Sequence, residues 1–75
     1  MISLTQMEFN EFNLKSKMKL LNKDGQMVTF KIVNGKFRFE LYHVYGFYVQ
    51  STVDLFSTQI IEVNIINGKQ WINYF

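Results

Sequence analysis

Apolar and polar positions follow two different patterns on either side of Gly25. The stretch from Gln6 to Met27 contains no Val, Ile or Thr and is rich in residues with good helix propensity. Beyond Gly25, β-branched and aromatic residues alternate with polar ones, a period typical of strands with one buried face. The pattern predicts an N-terminal helix followed by a β-sheet.

The predicted helix has a well-marked start. Thr5 and Glu8 have the spacing of a capping box, in which each side chain binds the backbone N–H of the other residue. Leu4 and Phe9 occupy the two positions of a hydrophobic staple. These signals predict that the helix begins at Thr5 and extends over about residues 5–22.

The second half of this segment supports two interpretations. As a helix, it would dock on the sheet through one apolar face, formed by Met7, Leu14, Met18 and Leu21. Gly25 would then end the helix in the left-handed conformation. Apolar residues also alternate with polar ones over residues 14–20, which is a strand pattern. We favour the helix because β-branched residues are missing, and the strand remains the alternative.

Five strands are predicted after Gly25, at about residues 26–33, 36–43, 47–54, 59–66 and 69–75. Three turn dipeptides and a loop over residues 55–58 separate them; the dipeptides are Asn34-Gly35, Tyr45-Gly46 and Asn67-Gly68. Asn-Gly suits a type I′ turn because both central residues need positive φ. We therefore expect a single α+β domain over residues 1–75, with a helix followed by a five-stranded antiparallel meander. The meander would be a twisted open sheet or a small SH3-like barrel.

Two hairpin registers follow from the alignment of apolar residues. A two-residue loop at the first Asn-Gly turn pairs Phe30 with Phe39. A three-residue loop ending at Gly46 pairs Leu41 with Val49. Both registers set apolar residues opposite each other, so this face of the sheet is the predicted core.

Composition narrows the class of protein. Hydrophobic residues at 48% and charged residues at 19% exclude a disordered tail. The absence of cysteine excludes a disulfide framework and a thiol nucleophile, and a net charge of +2 is too small to indicate nucleic acid by itself. No apolar stretch approaches the ~18 residues of a membrane span, and the first residues lack a signal-peptide layout. We expect a cytoplasmic protein without membrane contact.

Candidate catalytic groups are few. His43 is the only histidine, the carboxylates are not paired at close spacing, and the four glycines occupy separate turns rather than a phosphate-cradling loop. A position at the rim of a hairpin accounts for His43 without any chemistry. We expect no enzyme activity, no bound metal and no cofactor.

One face of the predicted sheet is the expected binding surface. Opposite the apolar core, the register sets Lys31 directly across from Arg38, a like-charge pair that costs about 0.2–1 kcal/mol unless an anion compensates it. On the same face Tyr42 is expected between Met27 and Tyr48. Aromatic residues with arginine are typical of interface hot spots. The predicted binding residues are Met27, Lys31, Lys36, Arg38, Tyr42 and Tyr48.

Coding bias bears on the origin of the chain. Phe, Tyr, Met, Ile, Asn and Lys, which have AT-rich codons, make up 37 of 75 residues, and Ala and Pro are absent. An AT-rich gene is typical of low-GC bacteria and of their phages and plasmids.

These observations favour a small non-catalytic binding module that occupies the surface of a partner protein. A phage or mobile-element inhibitor or accessory protein would fit, with anti-defence or anti-CRISPR proteins as one subclass. Two alternatives stay open. A single-stranded nucleic-acid binder would use its basic residues on phosphates and its tyrosines for stacking. A self-assembling structural subunit would form homo-oligomers through exposed sheet edges.

Overall fold

The computed structural model of this chain describes residues 4–67. They form two helices followed by four strands: α1 (Gln6–Asn10), α2 (Leu14–Asp24), β1 (Gln26–Val33), β2 (Phe37–Val44), β3 (Phe47–Asp54) and β4 (Ile60–Ile66). The α+β class is confirmed, and the segment that begins at Leu14 is a helix rather than a strand. The predicted fifth strand, at residues 69–75, lies outside the described residues.

The helical segment is interrupted, so the single helix predicted over residues 5–22 is wrong. Thr5 caps α1 as expected, since its N–H donates to Glu8 Oε1 at 3.0 Å and its Oγ1 accepts from the Glu8 N–H at 3.2 Å. Asn13 then adopts extended backbone angles, φ −74° and ψ 170°, and its side chain accepts from the Ser16 N–H at 2.8 Å. Asn13 is therefore the cap of a second helix.

This interruption changes which side chains face the sheet. Phe9 is fully buried, whereas Met7 is 75% exposed and Leu14 is 40% exposed. The docking roles predicted for Met7 and Leu14 are therefore wrong. Leu21 is buried and Met18 packs against the core, as predicted. A single 3.6-residue period does not hold across a break in the helix, which explains why α1 presents Phe9 instead.

Gly25 does not cap α2 in the left-handed conformation. Its backbone is extended, with φ −81° and ψ 153°. A Cβ at this position would lie 2.7 Å from the carbonyl oxygen of Leu21, which is closer than van der Waals contact allows. Glycine is required here by the close approach of the last helical turn.

The strands form an antiparallel meander in the order β1-β2-β3-β4. Within the described residues, β1 and β4 are the two edges of this sheet. The predicted meander order is confirmed for these four strands.

The first hairpin turns where predicted but pairs differently. Asn34 and Gly35 have φ of 57° and 63°, and the Lys36 N–H donates to the Val33 carbonyl at 3.1 Å, as in a type I′ turn. Lys36 does not take a place in the ladder, and pairing resumes with Val33 opposite Phe37. Every pair between this turn and the bulge at Met27 to Thr29 is therefore shifted by one residue relative to the predicted register.

This shift overturns the predicted core pair of the first hairpin. Phe30 lies opposite Glu40 instead of Phe39. A bulge between Met27 and Thr29 then shifts the register back, so that Met27 lies opposite Tyr42 as predicted. A bulge adds one residue to one strand. The alignment of apolar residues between two strands does not show where such an extra residue lies.

The second hairpin has a two-residue loop, so the predicted three-residue loop is wrong. Tyr45 and Gly46 both have positive φ, 50° and 85°, and Leu41 lies opposite Gln50 rather than Val49. The Tyr45 hydroxyl donates to the Asp24 carboxylate at the end of α2. This bond ties the turn to the helix and helps a bulky residue to hold the left-handed conformation.

The core lies between the helices and one face of the sheet. Of the predicted core residues, Phe30 and Val49 lie on this face, whereas Phe39 and Leu41 of β2 lie on the other. Seven residues form the buried cluster: Phe9, Leu21, Tyr42, Val44, Phe47, Val49 and Val63. Burying a side chain such as Leu or Phe contributes about 1.5–3 kcal/mol. Phe30, predicted in the core, is half exposed, and Phe39 lies on the opposite face of the sheet. No helix within residues 4–67 is long and apolar enough to cross a membrane.

Candidate functional site

The predicted basic pair is not formed. Lys31 lies opposite Phe39, whereas Arg38 lies opposite Ile32. Directly opposite residues of an antiparallel pair share a face, and Arg38 and Phe39 are successive residues of one strand. Lys31 and Arg38 therefore project from opposite faces of the sheet, and no like-charge repulsion between them has to be compensated.

The predicted aromatic pair is separated in the same way. Tyr42 is buried in the core, while Tyr48 is exposed on the other face, where its ring centroid lies 5.0 Å from that of His43. His43 is exposed and lies opposite Tyr48. Lys36 sits in the hairpin turn with Nζ 5.3 Å from the centroid of Phe37. Of the six predicted binding residues, only Met27, Arg38 and Tyr42 share the helix-side face.

A polar row runs along β2 on the helix-side face. Arg38 Nε lies 3.0 Å from Glu40 Oε2, and the Tyr42 hydroxyl donates to Glu40 Oε1 at 3.2 Å. Glu40 is buried, with 9% of its surface exposed. Burial raises the pKa of the Tyr42 hydroxyl above its usual value, and the charge of Glu40 raises it further. The Glu40 carboxylate thus has a cation on one side and a hydroxyl donor on the other.

Next to this row, β1 carries an exposed apolar surface, which we call the β1 strip. It consists of Met27, Val28, Phe30 and Ile32, which are 41%, 53%, 50% and 52% exposed. The Arg38 guanidinium lies 4.2 Å from the centroid of the Phe30 ring, close enough for a cation–π contact. The strip is uncovered because α1 packs chiefly on β4, and α2 on β4 and β2.

The backbone of β1 adds to the binding capacity of the strip. In the described sheet β1 has a neighbour on one side only, so its other side presents N–H and C=O groups. A long apolar edge strand is a template for pairing with another strand. The bulge between Met27 and Thr29 and the charge of Lys31 are the features of β1 that limit indiscriminate pairing.

Sequence patterns missed the β1 strip because they assigned Phe30 to the core and did not reveal that the helices pack chiefly on β4 and β2. The distribution of apolar residues on β2 does show that more than one face of this strand could be buried. Phe37, Phe39 and Leu41 lie on one face of β2, but Tyr42 and Val44 lie on the other. Because both faces of β2 carry apolar residues, alternation alone does not identify the face that the helices cover.

The described residues hold no cluster of three His, Cys, Asp or Glu side chains that would bind a metal ion. One buried polar atom in this part of the chain stands out. Ser51, opposite Glu40, is fully buried and its hydroxyl has no hydrogen-bond partner. No general base is paired with this hydroxyl, so the arrangement is not that of an activated nucleophile.

Comparison with known proteins identifies one similar sequence and no family. No family model matches the chain, and no solved structure matches it. Alanine--tRNA ligase of Buchnera aphidicola subsp. Baizongia pistaciae (strain Bp) is 32% identical over 73 residues, which is 96% of this chain. The chain spans only 8% of the length of that ligase. The similarity does not show that this chain has the ligase's activity.

Proposed function

We propose that this chain is a non-catalytic protein-binding module, and that its β1 strip receives an extended segment of a partner protein. The observation that carries the proposal is the row of half-exposed apolar side chains on an edge strand. Strand addition uses the main chain of the edge for affinity and alternate side chains for specificity. The β1 strip offers both.

The partner surface is expected to be apolar rather than acidic. Glu40 already lies within ion-pair distance of Arg38, so the strip does not need an anion from the partner. Phe30 and Ile32 are each about half exposed, and covering them would contribute about 1 kcal/mol each. Phe30 with the Arg38 guanidinium on its ring has the aromatic and arginine chemistry of an interface hot spot.

The proposed biological setting rests on the amino-acid composition. Residues with AT-rich codons make up 37 of the 75 positions, which supports a phage or mobile-element protein that acts as an inhibitor or accessory protein. Such a protein works by occupying a surface that the partner uses for something else, and it needs no catalytic group. This is the role that we propose for the β1 strip.

The first stage of the test finds the partner through the strip. A photo-crosslinking amino acid at position 30 of the full chain should capture a protein in the host lysate, and the same label at Phe56 should not. Phe56 is a suitable control because it is 80% exposed in the β3–β4 loop. The captured protein is then purified and its binding to the unmodified chain is measured.

The second stage compares matched substitutions with that purified partner. Phe30→Ala should weaken binding by about tenfold or more, while Phe56→Ala should change it less than twofold. Ile32→Thr on β1 and Ile61→Thr on β4 form a second pair, because the two side chains are 52% and 49% exposed. Equal effects within both pairs would refute the β1 strip as the binding site. A second copy of this chain as the captured species would point to self-assembly instead.

A further inference from the structure

Three lysines of α2 form a row on its outer surface, which we call the lysine row. Lys15, Lys19 and Lys23 are all exposed and are spaced by four residues. Four residues of helix rise about 6 Å, so the row extends over about 12 Å along the axis. The buried Leu21 and the partly buried Met18 project from the other side of α2, so the row faces away from the sheet.

The fold does not explain the lysine row. Like charges four residues apart destabilise a helix by roughly 0.2–0.5 kcal/mol per pair. Within residues 4–67 the one carboxylate ion pair is that of Arg38 with Glu40, so no acidic side chain neutralises the row. The helix dipole favours only Lys23, which lies in the last turn.

The fourth lysine of α2, Lys17, differs from the lysine row because it has structural contacts. Lys17 Nζ donates to the Val63 carbonyl at 3.2 Å and lies 5.7 Å from the centroid of Phe9. Lys17 therefore connects α2 to β4 of the sheet. Asp24, the one acidic residue of α2, accepts a hydrogen bond from Tyr45. These contacts leave the lysine row as the feature of α2 without a structural role.

We propose that the lysine row binds the phosphate backbone of a nucleic acid. A regular series of point cations fits a polymer with a regular series of anions, and lysine contacts phosphate oxygens without reading bases. The expected binding is therefore independent of sequence. Three contacts within about 12 Å correspond to a few consecutive phosphates, which are spaced about 3.4 Å along the axis of each strand.

An anionic membrane is a poorer fit to the same charges. A helix that lies in a membrane interface inserts its apolar face below the headgroups. In α2 that face is occupied, because Leu21 is buried and Met18 and Leu20 pack against the core. Nucleic acid needs only the charged face. The proposal is independent of the β1 strip, which lies on a different element.

Salt dependence of binding tests the proposal on the full chain. The probes are a labelled 20-nucleotide mixed-sequence RNA and a labelled 20-base-pair duplex DNA. Their binding to the chain is measured by fluorescence anisotropy between 50 and 300 mM KCl. Three single-strand contacts should give a slope of log K against log salt of about −2. Three contacts to the duplex should give a slope nearer −3, and the two probes distinguish the form of nucleic acid that binds.

Matched variants locate the contacts. Lys19→Gln should lower RNA affinity about fivefold at 0.1 M salt and make the slope shallower by about 0.7. Lys36→Gln removes the same charge from the hairpin turn and should change affinity less than twofold. The triple variant Lys15→Gln, Lys19→Gln, Lys23→Gln should lose on the order of 100-fold. Its circular dichroism should be unchanged, and its melting temperature should be equal or higher because like charges are removed.

Three results would overturn the proposal. One is the absence of RNA and DNA binding at 50 mM salt. Another is an equal loss for Lys19→Gln and Lys36→Gln, which would indicate an effect of net charge alone. The third is binding to vesicles of anionic lipid without binding to either nucleic acid.

Discussion

Replacing Phe9 tests how the helices dock on the sheet. Phe9 is fully buried, and its ring meets that of Phe47 edge to face with centroids 5.7 Å apart. Truncation of a buried phenylalanine to alanine costs about 3–5 kcal/mol, which includes the cavity that remains. Phe9→Ala is therefore expected to lower the free energy of unfolding by about 3–5 kcal/mol.

Met7→Ala is the matched control within the same short helix. Met7 is 75% exposed, and surface substitutions of this kind change stability by less than about 0.5 kcal/mol. A regular helix through residues 5–22 would reverse the two results, because it turns Met7 inward and Phe9 outward. The pair of variants thus distinguishes an interrupted helix from a continuous one.

Urea unfolding followed by circular dichroism gives both free energies. A domain of this size has a total stability of roughly 4–11 kcal/mol, and the expected loss for Phe9→Ala is a large part of it. Phe9→Leu is the milder variant, with an expected loss of about 1–2 kcal/mol. A loss below 1 kcal/mol for Phe9→Ala, together with a larger loss for Met7→Ala, would refute the docking described above.

Three further variants test the sheet and its contact with α2. Arg38→Glu sets a second carboxylate beside Glu40 and should cost about 1–2 kcal/mol; a melting temperature equal to or above that of the parent would instead indicate that Arg38 faces Lys31. Because the pKa of Tyr42 is raised in the folded chain, its contribution to stability is present below about pH 10 and is lost as pH rises through the folded-state pKa. Tyr42→Phe should flatten that alkaline decline in urea titrations, and an unaltered profile would contradict the burial of the hydroxyl. Gly25→Ala should cost about 1–3 kcal/mol in thermal unfolding, since its Cβ would meet the Leu21 carbonyl; an unchanged melting temperature would contradict that close approach.

The candidate site was only partly predictable from the sequence. Met27, Arg38 and Tyr42 share the helix-side face, and Met27 lies opposite Tyr42 as predicted. Phe30 is central to the β1 strip but was assigned to the core. Phe30 lies on the helix-side face, opposite Glu40, but the helices pack chiefly on β4 and β2 and leave it uncovered. The wrong loop length exchanged the faces of β2 instead, because a one-residue change of register moves side chains to the other face.

Local signals were sufficient for the elements and the turns. A capping box depends on residues three apart, and Thr5 with Glu8 forms it in the structure. Positive φ depends on the residue and its immediate neighbours, and both Asn34 and Gly35 adopt it where the Asn-Gly dipeptide predicted a turn. The change from helix to sheet near Gly25 likewise follows from propensities that act within a few residues.

Packing between residues that are distant in the sequence determined which faces of the helices and strands are buried. The break at Asn13 sets the rotation of α1 and brings Phe9 onto Phe47, 38 positions later in the chain. The exclusion of Lys36 from the ladder and the bulge on β1 set which residues of β1 and β2 share a face. The rotation of α1 and the pairing of the strands depend on how well whole surfaces pack against each other. The sequence of β2 does not settle its buried face, because β2 carries apolar residues on both faces. Only the assembled core determines which face of β2 is buried and that the helices pack chiefly on β4 and β2, which leaves the β1 strip exposed.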